Sequence, residues 1–150
     1  DLALGDAQEY SAEDGEKIGH HNGAHYFTIG QRKGLNIGGK KYPLFVIATD
    51  IKTNTIYVGM GNNHPGLFRK DLKICASSIH WLRSDQALQI NEQKKYLVRI
   101  RHRQSLQKAI LKLDEKYLHI IFKNNQRGIA KGQFAAWYSN DELIGSGPIL

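Results

Sequence analysis

Lys95-Tyr96-Leu97-Val98-Arg99-Ile100-Arg101, with Lys108-Ala109-Ile110-Leu111-Lys112-Leu113 and Leu118-His119-Ile120-Ile121-Phe122 behind it, is the stretch from which the fold is read. Each run is short, rich in β-branched or aromatic residues, and alternates partly with a period of two, as a half-buried strand does. Leu72-Lys73-Ile74-Cys75-Ala76-Ser77-Ser78-Ile79-His80 upstream and Gly132-Gln133-Phe134-Ala135-Ala136-Trp137-Tyr138 downstream read the same way, and Glu142 to Leu150 closes the set. Asp114-Glu115-Lys116 and Ser139-Asn140-Asp141 supply turns between them. Five or six short strands at this spacing predict a small antiparallel β-barrel over residues 71–150.

Working back from the barrel, the chain divides near Asp71. Leu44-Phe45-Val46-Ile47-Ala48-Thr49 and Thr55-Ile56-Tyr57-Val58-Gly59 predict a hairpin, and Asn62-Asn63-His64-Pro65-Gly66 is a strong turn signal. Residues 14–70 are therefore expected to form a small central α+β domain, so that the fold class is mainly β with a small α+β part. Residues 1–13, acidic and glycine-containing, are expected to be a linker.

At 150 residues and 41% hydrophobic content the chain can bury a core as one domain or two. No apolar run approaches the roughly 20 residues that span a bilayer, and the acidic start does not resemble a signal peptide. One cysteine excludes an internal disulfide framework and suits a reducing cytoplasm. Charge is unevenly spread. Residues 1–17 carry six acids against Lys17, whereas residues 94–127 carry ten cations against Asp114 and Glu115. A basic face of this kind points to a polyanion partner or to a merely solubilising surface.

Within the basic stretch, Arg99, Arg101 and Arg103 are spaced to share one face of an extended strand, with Val98 and Ile100 on the other. Planar guanidinium groups in a row suit phosphate oxygens or base edges, although cross-strand pairing with Asp114 or Glu115 would also account for them. Gln133 follows the turn Ala130-Lys131-Gly132, and its amide offers both a donor and an acceptor to a base or 2′-hydroxyl; a solvated strand start needs neither. A second candidate surface is Tyr26-Phe27-Thr28-Ile29-Gly30-Gln31-Arg32-Lys33-Gly34-Leu35-Asn36-Ile37-Gly38-Gly39. There Gly30 and Gly34 let the backbone bend tightly around Arg32-Lys33 and offer N–H groups to an anion. The competing reading is a short amphipathic helix with Arg32 and Lys33 solvated. The spacing fits neither a Walker loop nor a dinucleotide fingerprint. His20, His21, His25 and His64 lack a familiar ligand spacing, so no metal is expected. Cys75 reads as a small hydrophobe inside an apolar strand, and Trp81 as a half-buried core residue.

Four ordered signatures then carry a resemblance. Asp14-Gly15-Glu16-Lys17-Ile18-Gly19-His20-His21-Asn22-Gly23, Tyr26 to Leu35, Asn63-His64-Pro65 and Arg101-His102-Arg103-Gln104 resemble the bacterial tRNA-specific 2-thiouridylases from about Asp14 to Leu150. The resemblance implies a barrel like the second domain of translation elongation factors. It implies an enzyme that adenylates the C2 oxygen of a wobble uridine in tRNA, using ATP and Mg, and replaces it with sulfur from a cysteine persulfide fed by a sulfur-relay donor protein. The Ser-Gly-Gly-x-Asp-Ser loop and the two sulfur-transfer cysteines of that family are not in this sequence, so the chain is expected to be a fragment that is inactive alone and binds no cofactor itself. The positions matching Arg101, His102 and Gln133 contact tRNA in the family, with His102 standing where tyrosine is common; Arg103, Arg32 and Lys33 are expected to assist. Neither DNA nor a membrane is expected as a partner. A free-standing β-barrel that binds protein, and a thiol enzyme using Cys75, are the readings from other classes.

Overall fold

The computed structural model describes residues 16–150, so the expected linker at 1–13 lies outside the described residues. The chain forms two compact units, one ending at Phe68 and the other running Arg69–Leu150. Among the described residues there is no α-helix, only single 3-10 turns, and no helix is long and apolar enough to cross a membrane. The helical content expected for residues 14–70 is thus replaced by turns.

In the first unit β1 (Leu44–Asp50) and β2 (Thr55–Met60) form the expected antiparallel hairpin, with Leu44 opposite Met60 and Asp50 opposite Thr55. Asp50 closes it by accepting the N–H groups of Lys52 and Thr53, and Asn54 adopts φ 53°, a conformation its short polar side chain tolerates. The other edge of β1 is also used: Gly30 N–H donates to Val46 O at 2.7 Å and Val46 N–H to Gln31 O at 2.9 Å. Leu35, Leu44 and Val46 make a small core against Ile18, Phe27, Ile37, Ile56, Val58 and Met60.

The second unit holds β3 (Phe68–Cys75), β4 (His80–Trp81), β5 (Gln93–Arg99), β6 (Gln107–Leu113), β7 (Tyr117–Arg127), β8 (Phe134–Ser139) and β9 (Glu142–Pro148). They form one seven-stranded sheet in the order β3-β7-β6-β5-β8-β9-β4. Alternation places Tyr96 and Val98, Ala109 and Leu111, Leu118, Ile120 and Phe122, Ala135 and Trp137 on the inner face. The sheet curls, and the segment that follows β9 reaches β3, Leu150 N–H donating to Lys73 O at 3.0 Å. Seven strands appear instead of six because the expected strand 72–80 is broken. Ala76–Ser78 is a 3-10 turn, so β3 pairs with β7 at one edge while β4 pairs with β9 at the other. Cys75 therefore ends β3 rather than lying within an apolar strand; it is half-exposed, its Sγ is 3.2 Å from Ser77 Oγ, and bonding to Ser77 lowers its thiol pKa.

Trp137 is fully buried at the centre, with Trp81 set edge-on to it at 5.4 Å between ring centroids. Directly opposite lies Gly145, where an added Cβ would sit 2.7 Å from the indole Cζ2. Gly145→Ala should accordingly cost about 1–3 kcal/mol of overpacking, seen as a lower thermal midpoint with a shifted tryptophan emission. Between β6 and β7, Asp114 accepts the N–H groups of Lys116 and Tyr117 and bonds His119 Nε2 at 2.6 Å. These bonds, that of Tyr117 foremost, hold its carboxyl down at about 2. A carboxyl depressed in the folded chain adds stability above its ordinary value and loses it as the pH falls, so the thermal midpoint should decline from about pH 4 towards pH 2. Asp114→Asn should flatten that decline.

Candidate nucleic-acid interface

The residues singled out in the barrel gather where β5 turns into β6. Strand β5 stops at Arg99, so the three arginines do not share one extended face; Arg101 to Gln104 form a turn closed by Gln104 N–H to Arg101 O at 3.2 Å. The cause is local. Gln104 Oε1 takes the N–H of Ile100 at 2.9 Å, a donor that a longer ladder would otherwise have used, while the Ile100 side chain stays in the core.

Each arginine has a different fate. Arg99 lies over the Tyr138 ring at 5.1 Å and donates to the Tyr138 hydroxyl at 2.8 Å, so it braces the outer face of the sheet. Arg101 donates to the Arg127 carbonyl, and burial together with the like charge of Arg127 lowers its pKa. A guanidinium remains charged even so. His102 and Arg103 are exposed at the tip of the turn. No arginine pairs with Asp114, which is occupied by its own turn and His119, and among the described residues Arg101, His102 and Arg103 make no ion pair with an acid. What remains is a positive surface without internal neutralisation.

A buried amide relay fixes this turn, and sequence reading missed it. Gln104 Nε2 donates to Gln126 Oε1 at 2.9 Å, and Gln126 Nε2 donates to Asn124 O at 3.0 Å. Gln126 is 4% exposed, one of two polar residues in the buried set. Its signal in the sequence was the polar run Asn124-Asn125-Gln126-Arg127 extending an otherwise alternating strand. The relay ties the turn to the end of β7, which also contributes exposed Lys123.

Gln133 lies past the loop that leaves β7. Its N–H donates to Ala130 O at 3.3 Å and its carbonyl accepts Ile149 N–H at 2.7 Å, so the backbone is held while Oε1 is enclosed without a partner. An unsatisfied buried acceptor costs about 1–3 kcal/mol. Exposed Lys131 and Phe134, the latter 63% accessible, flank it.

Arg32 and Lys33 belong to the first unit. Gly30 and Gly34 take φ 87° and 85°, and Gln31 staples the bend by accepting Thr28 N–H at 3.1 Å and donating to Lys33 O at 2.9 Å. The tight bend is therefore formed and the amphipathic helix is not; both cations project from an exposed tip. Among the described residues no group of three His, Cys, Asp or Glu side chains is placed to hold a metal.

Residues 6–60 match the tRNA methyl transferase PRC-barrel domain and residues 71–149 the aminomethyltransferase beta-barrel domain. The class is thus a PRC-barrel segment followed by a β-barrel of the aminomethyltransferase type. Among curated relatives, the tRNA-specific 2-thiouridylase MnmA of Flavobacterium johnsoniae is 54% identical over 93% of this chain, that of Christiangramia forsetii 50% over 93%, and that of Karelsulcia muelleri 51% over 94%. The chain belongs to the tRNA-specific 2-thiouridylase family, as its central and C-terminal portion. It spans 35% of the length of the first two relatives and 36% of the third.

The relay makes its own prediction. Gln126→Leu should destabilise the barrel by about 1–3 kcal/mol by leaving Gln104 Nε2 without its acceptor. Gln104→Ala should specifically accelerate hydrogen exchange at the Ile100 amide, while exchange in the β8–β9 ladder stays unchanged.

Proposed function

We propose that this chain is the tRNA-holding portion of an enzyme that 2-thiolates the wobble uridine, with the chemistry performed by the part of the longer protein that it does not span. The observation that carries this reading is the braced turn Arg101–Gln104, a cationic surface held rigid from behind by Gln126 and left without acidic partners among the described residues. Rigid cations at fixed spacing recognise a phosphate backbone, since each neutralised phosphate releases counterions. Arg103 and His102 would meet the backbone or a ribose directly. Arg101 would offer the remaining edge of its fork, the other being held by the Arg127 carbonyl.

Gln133 adds selectivity in this scheme. Its Oε1 is enclosed, so a base or 2′-hydroxyl would meet the other end of the amide, Nε2. Arg32 and Lys33 would take a second stretch of the same RNA. By the family's chemistry, ATP with Mg activates the uridine C2 oxygen and a persulfide, charged by a sulfur donor, delivers sulfur; this chain's contribution is orientation. Holding the target in a reactive geometry is worth several kcal/mol of barrier, up to about 7–11 in the best cases.

The test is binding of the chain to unmodified tRNA carrying a wobble uridine, titrated across salt. Arg101→Ala/Arg103→Ala should weaken binding and reduce the slope of log K against log salt by about two. Unchanged affinity and slope in a folded variant would remove the turn from the interface.

A further inference from the structure

From Lys17 to Thr49 the sequence carries Lys17, Arg32, Lys33, Lys40 and Lys41 and no acid. The bend already described uses Arg32 and Lys33; Lys40, Lys41 and Tyr42 have no role so far. They sit on the connection between Leu35 and Leu44, two core residues that pin its ends. Between those pins nearly every residue is exposed. The connection and Arg32 line an open depression of about 660 Å3, with Lys40, Lys41 and Tyr42 on its wall.

Three properties of this loop narrow what it can bind. Among the described residues no acid lines the depression, so its cations repel one another and an anion relieves that repulsion. Tyr42 is 53% exposed, so its ring is largely unused by the core, and the Lys41 ammonium lies 5.3 Å from its centre. The depression is open rather than enclosing, which suits an extended ligand passing over it better than a small molecule held on all sides. Aromatic rings beside cations in an open groove are the means by which unpaired nucleotides are held, the ring stacking on a base and the cations following the phosphates. A paired duplex offers no free base face to such a ring.

We infer that the loop 36–43 is a second RNA-binding element, which takes an unpaired nucleotide with Tyr42 stacked on its base and Lys40 and Lys41 against the adjoining phosphates. The inference deepens the tRNA-holding reading and rests on it. It assigns the single-stranded part of the RNA to the first unit and leaves the barrel turn to the folded backbone.

The probe is a fluorescently labelled oligouridine, too short to pair, titrated with the 150-residue chain at low and moderate salt. Tyr42→Ala should weaken its binding about tenfold and Tyr42→Phe should restore it, since stacking needs the ring and not the hydroxyl. Lys40→Gln/Lys41→Gln should reduce the salt slope by about 1.4, the value for two phosphates of a single strand. Because these side chains are exposed, thermal midpoints should match the parent chain. Wild-type affinity in Tyr42→Ala, an unaltered slope in the lysine variant, or no oligouridine binding at low salt would each overturn the inference. Arg101→Ala/Arg103→Ala should leave oligouridine binding intact while weakening tRNA binding. If tRNA binding falls in that variant but oligouridine binding ignores Tyr42, this inference fails and the tRNA-holding reading stands.

Discussion

The indole of Trp137 fills the space left by the missing side chain of Gly145, and the geometry of the barrel follows from that contact. A ring of that size, fully buried, fixes which face of β8 points inward. Its neighbour in the chain, Tyr138, is left half-exposed where Arg99 reaches it diagonally across the β5–β8 pair. The register shift between Trp137 and Tyr138 belongs to the same arrangement. Packing at the centre thereby sets which side chains of β8 stand on the outer face, where Arg99 at the end of β5 meets Tyr138.

Beyond that point the organisation is polar. Gln104 and Gln126 do at the mouth of the barrel what a ladder does along its wall: they satisfy donors and acceptors of chain segments that have left regular structure. Amides are useful there because each can give and accept at once, so two linked side chains hold two stretches of backbone. Cations mounted on such a frame need not lose much freedom on meeting an anion, since the backbone beneath them is already ordered.

The strands were legible because their inner faces alternate: Tyr96 and Val98, Ala109 and Leu111, Leu118, Ile120 and Phe122 are a period-two pattern that survives in the sheet. The hairpin of Leu44–Asp50 with Thr55–Met60 was legible for a different reason, the turn residues at 50–54. Two features were not. Ala76-Ser77-Ser78 carries no glycine or proline, yet it breaks one apparent strand into two that serve opposite edges, a result of closure rather than of local preference. Arg99, Arg101 and Arg103 keep strand spacing in the sequence, but a glutamine side chain four residues on captures the Ile100 N–H and ends the strand before the second arginine. Competition of a side chain for one backbone donor leaves no periodic trace. The cations themselves were visible, whereas the relay that arranges them was not.

The seam of the barrel joins position 73 to position 150, with Ile149 stitched to Gln133 beside it. During synthesis the strands that pair with near neighbours in the chain can form as they emerge, but β3 must wait with one edge open until residues 149 and 150 leave the ribosome. An open strand edge of that kind is a site for mispairing between nascent chains. The charged residues along β3, Arg69, Lys70, Asp71 and Lys73, stand exposed on that strand and would discourage it during the interval.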